Sequence, residues 1–171
     1  MNAIYLVKDI AGFTPHIARL VSMMNYARET TLHAVRDLSI EQLDTVPAGF
    51  GNSIAALLEH FAAVEVAYQF QTFENRDLNE AEFARWGAGL DLGERIKEIS
   101  GKPLEHYLTQ LDNVRQKTFE EFAKRDDDWL HLKFPFWGGE PANNYFCWFH
   151  VFEDEINHRG QIRLIRKNLP K

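Results

Sequence analysis

Apolar residues return every three or four positions along several stretches of the chain, the spacing of one buried face of an α-helix. The clearest stretch runs from Ser53 to about Phe73, where Ile54, Leu57, Leu58, Phe61, Val64 and Tyr68 share a face and Ser53 supplies the cap. An earlier helix starts at Thr14-Pro15, since proline suits a first turn in which its missing N–H would have had no partner, and runs to about Asp37. Pro103 opens a third, carrying Leu104, Leu108, Leu111, Val114, Phe119 and Phe122, with an end near Lys124 before the acidic run Asp126-Asp127-Asp128. The last begins at Asn143 or Asn144, both good caps, and continues to about Asn168, before Pro170.

The segments between these helices read differently. Ser39-Ile40-Glu41-Gln42 forms a capping box for one short helical turn, and the run from Pro47 to Asn52 is a loop. Residues 74–101, punctuated by Gly87, Gly89, Gly93 and Gly101, predict a long connection with short helical turns. Trp129 to Pro141 is aromatic but broken by proline and glycine, which fits a short hairpin or lid. Four long helices without a convincing alternating strand define an all-α four-helix bundle with long connections and a short irregular segment before the last helix. No internal repeat or low-complexity tract is visible.

Composition narrows the setting. A chain of 171 residues with 45% hydrophobic and 26% charged content predicts one domain, spanning residues 1–171, with a proper core. A net charge of -6 and a pI near 5.6 lack the basic footprint that nucleic acid requires. The opening residues, with Lys8 and Asp9 behind a short apolar run, predict no signal peptide. No apolar stretch approaches the ~20 residues needed to cross a bilayer, so no membrane association is expected. Cys147 is the only cysteine, which rules out an intramolecular disulfide and fits a reducing compartment, hence the cytoplasm.

Chemistry concentrates in the last helix. Its core stripe reads Cys147, Val151, Asp154, His158, Ile162, Ile165, Leu169, and two ionisable residues interrupt it. Such a pair carries a desolvation penalty of several kcal/mol unless a partner answers it. Residues four apart on a helix lie roughly 5–6 Å from each other, so a carboxylate and an imidazole can converge on one ion. His60, beside Leu57, Phe61 and Val64, is the other histidine within a core-facing pattern. Together the three would offer two imidazoles and one carboxylate with positions left open. A plain reading stands beside this one: Asp154 and His158 form an i,i+4 ion pair, and His60 is a core histidine with a backbone partner.

The segment His150-Val151-Phe152-Glu153-Asp154-Glu155-Ile156-Asn157-His158-Arg159-Gly160-Gln161-Ile162 resembles the last-helix signature of the DinB/YfiT-like metalloenzyme family, most specifically in its His-Arg-Gly-Gln-Ile ending. Ser53-Ile54-Ala55-Ala56-Leu57-Leu58-Glu59-His60 similarly resembles that family's second helix, a capped apolar run ending in a metal-binding histidine. The resemblance implies a four-helix bundle holding a divalent metal ion, with the ligand positions falling on His60, Asp154 and His158. Histidine is the usual residue where this chain has Asp154, and the carboxylate leaves nickel, zinc, iron and manganese all compatible. The resemblance further implies a transferase that joins a small-molecule thiol to an electrophilic substrate. Two alternatives are a metal-dependent hydrolase and a non-catalytic, metal-stabilised bundle.

Several neighbours carry open readings. His150 either orients Asp154 or acts as a base beyond the ligands, or it only flanks the stripe. Glu65 either accepts a hydrogen bond from a ligand histidine or reaches solvent at the bundle edge. Gly160 suggests a close helix approach, and Trp137, Phe134 and Phe136 could close a pocket over an apolar substrate. Tyr145, Phe149, Phe152 and Ile156 form a second apolar patch that needs cover, from residues 129–141 or from another subunit in a homodimer.

Overall fold

The computed structural model describes residues 4–93, 95 and 98–170. It is a helical bundle whose elements are α1 (Pro15–Val35), α2 (Ile40–Asp44), α3 (Ile54–Phe73), α4 (Glu80–Leu90), α5 (Leu104–Phe122), α6 (Asp127–Leu130), β1 (Lys133–Pro135), β2 (Pro141–Asn143) and α7 (Asn144–Lys167). The four expected long helices are α1, α3, α5 and α7. Among the described residues, no helix is long and apolar enough to cross a membrane.

Side-chain contacts fix the helix directions. Arg28 meets Glu155 and Arg166 meets the Ala34 carbonyl, so α1 and α7 run parallel. Glu59 meets Gln110 and Glu65 meets Arg115, so α3 and α5 are parallel as well. Thr72 against Trp148, with His60 against Asp154, makes α3 and α7 antiparallel. A parallel neighbour requires the chain to return along the full bundle, which is why a long connection separates α3 from α5. That connection is more ordered than its glycines suggested. It contains the eleven-residue α4, started by a capping box in which Asn79 accepts from the Glu82 N–H and the Glu82 carboxylate accepts from the Asn79 N–H.

Caps set most other boundaries. Ser53 accepts from the Ala56 N–H, Asn143 from the Phe146 N–H, and Ser39 with Gln42 forms the expected box. α1 ends at Val35, two residues before Asp37, which adopts a left-handed φ of 62°. The acidic run after α5 is not simply a solvated stop. Asp126 caps α6, and Asp127 caps α1, its Oδ1 accepting from the Thr14 hydroxyl at 2.5 Å and from the His16 and Ile17 N–H groups at 3.0 and 3.3 Å. The aromatic segment forms the expected hairpin, with Phe134 paired to Ala142.

Two apolar clusters fill the bundle, and a layer of charge lies between them. One cluster gathers Leu57, Phe61, Tyr107, Leu111 and Ile162; the other gathers Leu20, Met24, Phe122, Trp148 and Val151. Between them Arg28 from α1, Glu65 from α3, Arg115 from α5 and Glu155 from α7 are all buried. Arg28 binds Glu155 through two bonds of 3.0 and 3.2 Å, and Arg115 binds Glu65 through two of 2.8 and 3.1 Å. Cross-contacts of 3.4 and 3.7 Å join the pairs. One further N–H of Arg28 donates to the Leu111 carbonyl and one of Arg115 to the Met24 carbonyl, and Thr118 donates to Glu65. Glu65, with no exposed surface, therefore neither reaches solvent nor touches a ligand histidine.

The second apolar patch is only partly covered. Phe152 is buried in the second cluster and Tyr145 packs against it, whereas Phe149 and Ile156 remain 43% and 37% exposed. A Cβ at Gly160 would meet nothing within 4 Å, so the helix approach expected there is not made among the described residues.

Burial raises the pKa of Glu155, but Arg28 and Arg115 outweigh it and hold the carboxyl below the usual glutamate range. Its stabilising contribution is complete above the ordinary glutamate range and is lost as pH falls through the lower folded value. Glu155→Gln, which leaves two buried arginines sharing one carboxylate, should lower stability at pH 7 by about 3–5 kcal/mol in urea denaturation. The gap to wild type should narrow toward acid, because wild type loses the same carboxylate there.

Candidate metal centre

Antiparallel packing of α3 against α7 brings the three expected residues together. His60 Nε2 lies 3.2 Å from Asp154 Oδ2, and His158 Nε2 lies 3.2 Å from Asp154 Oδ1. The two imidazole rings are edge-on, 4.9 Å between centroids at 82°. One donor atom from each residue falls within 4.8 Å of the others, and this is the group of three such side chains found among the described residues.

His60 is held from behind by α4. Its Nδ1 lies 2.7 Å from the Gly89 carbonyl, an oxygen that can only accept, so Nδ1 carries the proton. The approach depends on Gly89 having no side chain: a Cβ there would sit 2.9 Å from Ala63 Cβ and 3.1 Å from the Glu59 carbonyl. Glu59 ties this corner together, accepting from Arg85 of α4 at 2.7 Å and from Gln110 of α5 at 2.7 Å. Read from the sequence, Gly89 was only a breaker. Its role depends on which surface α4 lies against.

With Nδ1 turned to Gly89, His60 Nε2 faces a carboxylate oxygen of Asp154. Two acceptors 3.2 Å apart repel unless a cation lies between them, either a proton or a metal ion. Among the described residues that same Asp154 Oδ2 makes no hydrogen bond, and neither does the buried His158 Nδ1. Ligands about 2.1 Å from one ion and about 100° apart lie about 3.2 Å from each other, which matches both separations. The donor set of two imidazoles and one carboxylate suits a divalent transition metal.

Electrostatics favour a charged carboxylate here. Burial pushes Asp154 up, but the His158 and His60 imidazoles outweigh it and hold the carboxyl well below the usual range. Burial pushes His158 down, and Asp154 more than compensates, so its pKa is raised.

A cavity of about 540 Å³ opens onto this site. Leu78 precedes α4 and Leu90 ends it, and Val64, Tyr68 and His150 continue the α3 and α7 stripes away from the histidines. Phe136 and Trp137 line the cavity as expected, whereas Phe134 packs into the core beneath them. His150 does not orient Asp154: its Nδ1 pairs with Glu153 Oε2 at 3.0 Å, and its ring stands edge-on to Tyr68 and Trp137. Tyr68, expected at a core position, is buried in the second cluster and also lines the cavity wall. Cys147 is fully buried, and burial pushes its thiol up to about 12, which removes it as a nucleophile.

A long-helix bundle with a His/Asp/His cluster between its second and last long helices is the architecture of the DinB/YfiT-like proteins. The family model described as mycothiol-S-transferase matches residues 19–170, nearly the whole chain. The chain belongs to that family, within the DinB/YfiT-like superfamily. No curated protein matches it.

Gly89→Ala tests the corner behind His60. The added methyl should force α4 outward and cost about 1–3 kcal/mol of stability, read as a fall in the thermal midpoint. The same substitution at Gly160, where space is open, should be neutral or stabilising.

Proposed function

We propose that the protein is a metal-dependent thiol S-transferase in which His60, Asp154 and His158 hold one divalent ion. The observation that carries this reading is His60 Nε2 aimed at an Asp154 carboxylate oxygen 3.2 Å away, with the Gly89 carbonyl holding the ring from its Nδ1 side. When bound, the ion supplies positive charge that keeps a small-molecule thiol as thiolate at neutral pH. The mycothiol-S-transferase match supports mycothiol as that thiol.

The chain's own residues do the rest. His60 and His158 approach from α3 and α7 with Asp154 between them, so the side facing the cavity is left for substrate. Phe136, Trp137, Val64 and Leu90 give that cavity apolar walls suited to an apolar electrophile. The chain is proposed to act as one domain, and its single cysteine, buried and free, supports a reducing, cytoplasmic setting.

A second copy is the proposed cover for the patch left open on α7. Phe149 and Ile156 stand exposed on one face of α7. Light scattering should give the mass of a dimer. Phe149→Glu with Ile156→Glu should return a monomer of unchanged metal content.

Protein purified without a histidine tag should contain stoichiometric metal by elemental analysis, and His158→Ala should contain none. Wild type should join mycothiol to an electrophile, lose that activity to a chelator and regain it with added metal. Full metal content in His158→Ala, or transfer indifferent to chelation, would sink the reading.

A further inference from the structure

The paired stripes of α3 and α7 end at Tyr68 and His150, and the cavity runs on along α3 to Gln71. At about 100° per residue, His60, Ala67 and Gln71 fall within about 20° of one line on that helix, and all three line the cavity. Val64 and Tyr68 stand about 40° and 80° round from the line, on the side where α7 packs. The cavity therefore follows a straight track from a candidate metal ligand to a side-chain amide, with only the methyl group of Ala67 on the line between them. Eleven residues separate His60 from Gln71, about 16 Å along α3. A cysteine whose sulfur sits beside His60 falls far short of Gln71, whereas a cysteine extended by two rings spans the track.

The far end of the track is polar. Asp77 and Leu78, in the connection that leads into α4, close the cavity there. Neither the Gln71 amide nor the Asp77 carboxylate has a partner among the described residues, and both line the cavity. Arg76 does not neutralise its neighbour: its guanidinium binds Glu74 at 2.8 Å and Glu82 at 2.7 and 2.8 Å, and it reaches only the backbone carbonyl of Asp77. Among the described residues no lysine or arginine lines the cavity, and its acidic residues are Asp77 and Asp154. Such an end suits hydroxyls, because a carboxylate accepts from two neighbouring O–H groups and an amide both accepts and donates. A ligand carboxylate would meet Asp77 instead of a cation, and like charges brought together cost affinity.

We infer that Gln71 and Asp77 bind the far end of the thiol, and that the Asp77 carboxylate makes the enzyme select a thiol ending in uncharged hydroxyls over one ending in carboxylates. This rests on the transferase reading above. Mycothiol has that chemistry: its cysteine is joined through an amide to a glucosamine ring, which carries a cyclitol, and the molecule is rich in hydroxyls and uncharged apart from its thiol. Its body lies along His60, Ala67 and Gln71, and the α7 side, with Phe136 and Trp137, is left for the electrophile. Bacillithiol shares the cysteine and the glucosamine but ends in malate, whose carboxylates find no cation at Asp77.

The test compares mycothiol with bacillithiol, each offered to benzyl chloride. Wild type should favour mycothiol in kcat/KM. Asp77→Lys should lower kcat/KM for mycothiol and raise it for bacillithiol, moving their ratio by about tenfold toward bacillithiol. Gln71→Lys, which brings a cation to the same end from the helix, should move the ratio the same way. A second readout needs no turnover: saturation-transfer NMR with N-acetylglucosaminyl-inositol, the thiol-free part of mycothiol, should show the cyclitol protons in contact with wild type and the contact weakened in Asp77→Lys. A ratio unchanged in both variants, whether or not the rates fall, would mean that the two residues only shape the cavity. That result, or cyclitol protons without contact in wild type, overturns the inference and leaves the transferase reading intact. No wild-type transfer from either thiol would end that reading and this inference together.

Discussion

The buried layer of Arg28, Glu65, Arg115 and Glu155 is the constraint on which the rest of the bundle depends. Apolar helix faces can slide or rotate past one another at modest cost, because one leucine contact substitutes for another. Two bidentate guanidinium–carboxylate pairs cannot, since a shift of a single turn would strand four charges in a low-dielectric interior. Each long helix contributes one member, so the layer sets the axial register of all four at once. The two apolar clusters then fill the space above and below it.

That register passes directly to the cavity. Asp154 precedes Glu155 on α7, and His60 lies little more than a turn before Glu65 on α3, so fixing the glutamates fixes the height at which imidazole and carboxylate meet. The remaining freedom, rotation of the His60 ring, is removed by the Gly89 carbonyl. α4 is tied to that position by the Arg85–Glu59 ion pair and by Trp86 packed against the first cluster, and a glycine lets its backbone come close enough. The site is thus held by one charged layer from below and one backbone carbonyl from behind.

Belonging to the mycothiol-S-transferase family gives this geometry a chemical setting. A thiol transferase needs a place for thiolate, a place for its electrophile and little water between them. The paired stripes on α3 and α7 provide polar groups at both ends of an aromatic and aliphatic cavity of about 540 Å³. The asymmetry is chemical: one end offers metal-ligand side chains, the other a phenol hydroxyl and an imidazole.

The four long helices, their caps and the pairing of Asp154 with His158 were legible in the sequence, because helical periodicity and capping are local and act within a turn or two. His60 was legible as a candidate from its place in an apolar face, and as a partner through family resemblance. The charged layer was not recognised, although Arg28 and Arg115 stand at core positions of their helices; a charge inside an apolar stripe was the available signal, and at Glu65 it was read as a residue near the edge. The sequence also could not say that Gly89 backs His60, that Asp127 caps a helix begun at Thr14, or that Tyr68 faces His150. These are contacts between residues far apart in the chain, and only the packing of whole helices, fixed by where four buried charges find their partners, decides them.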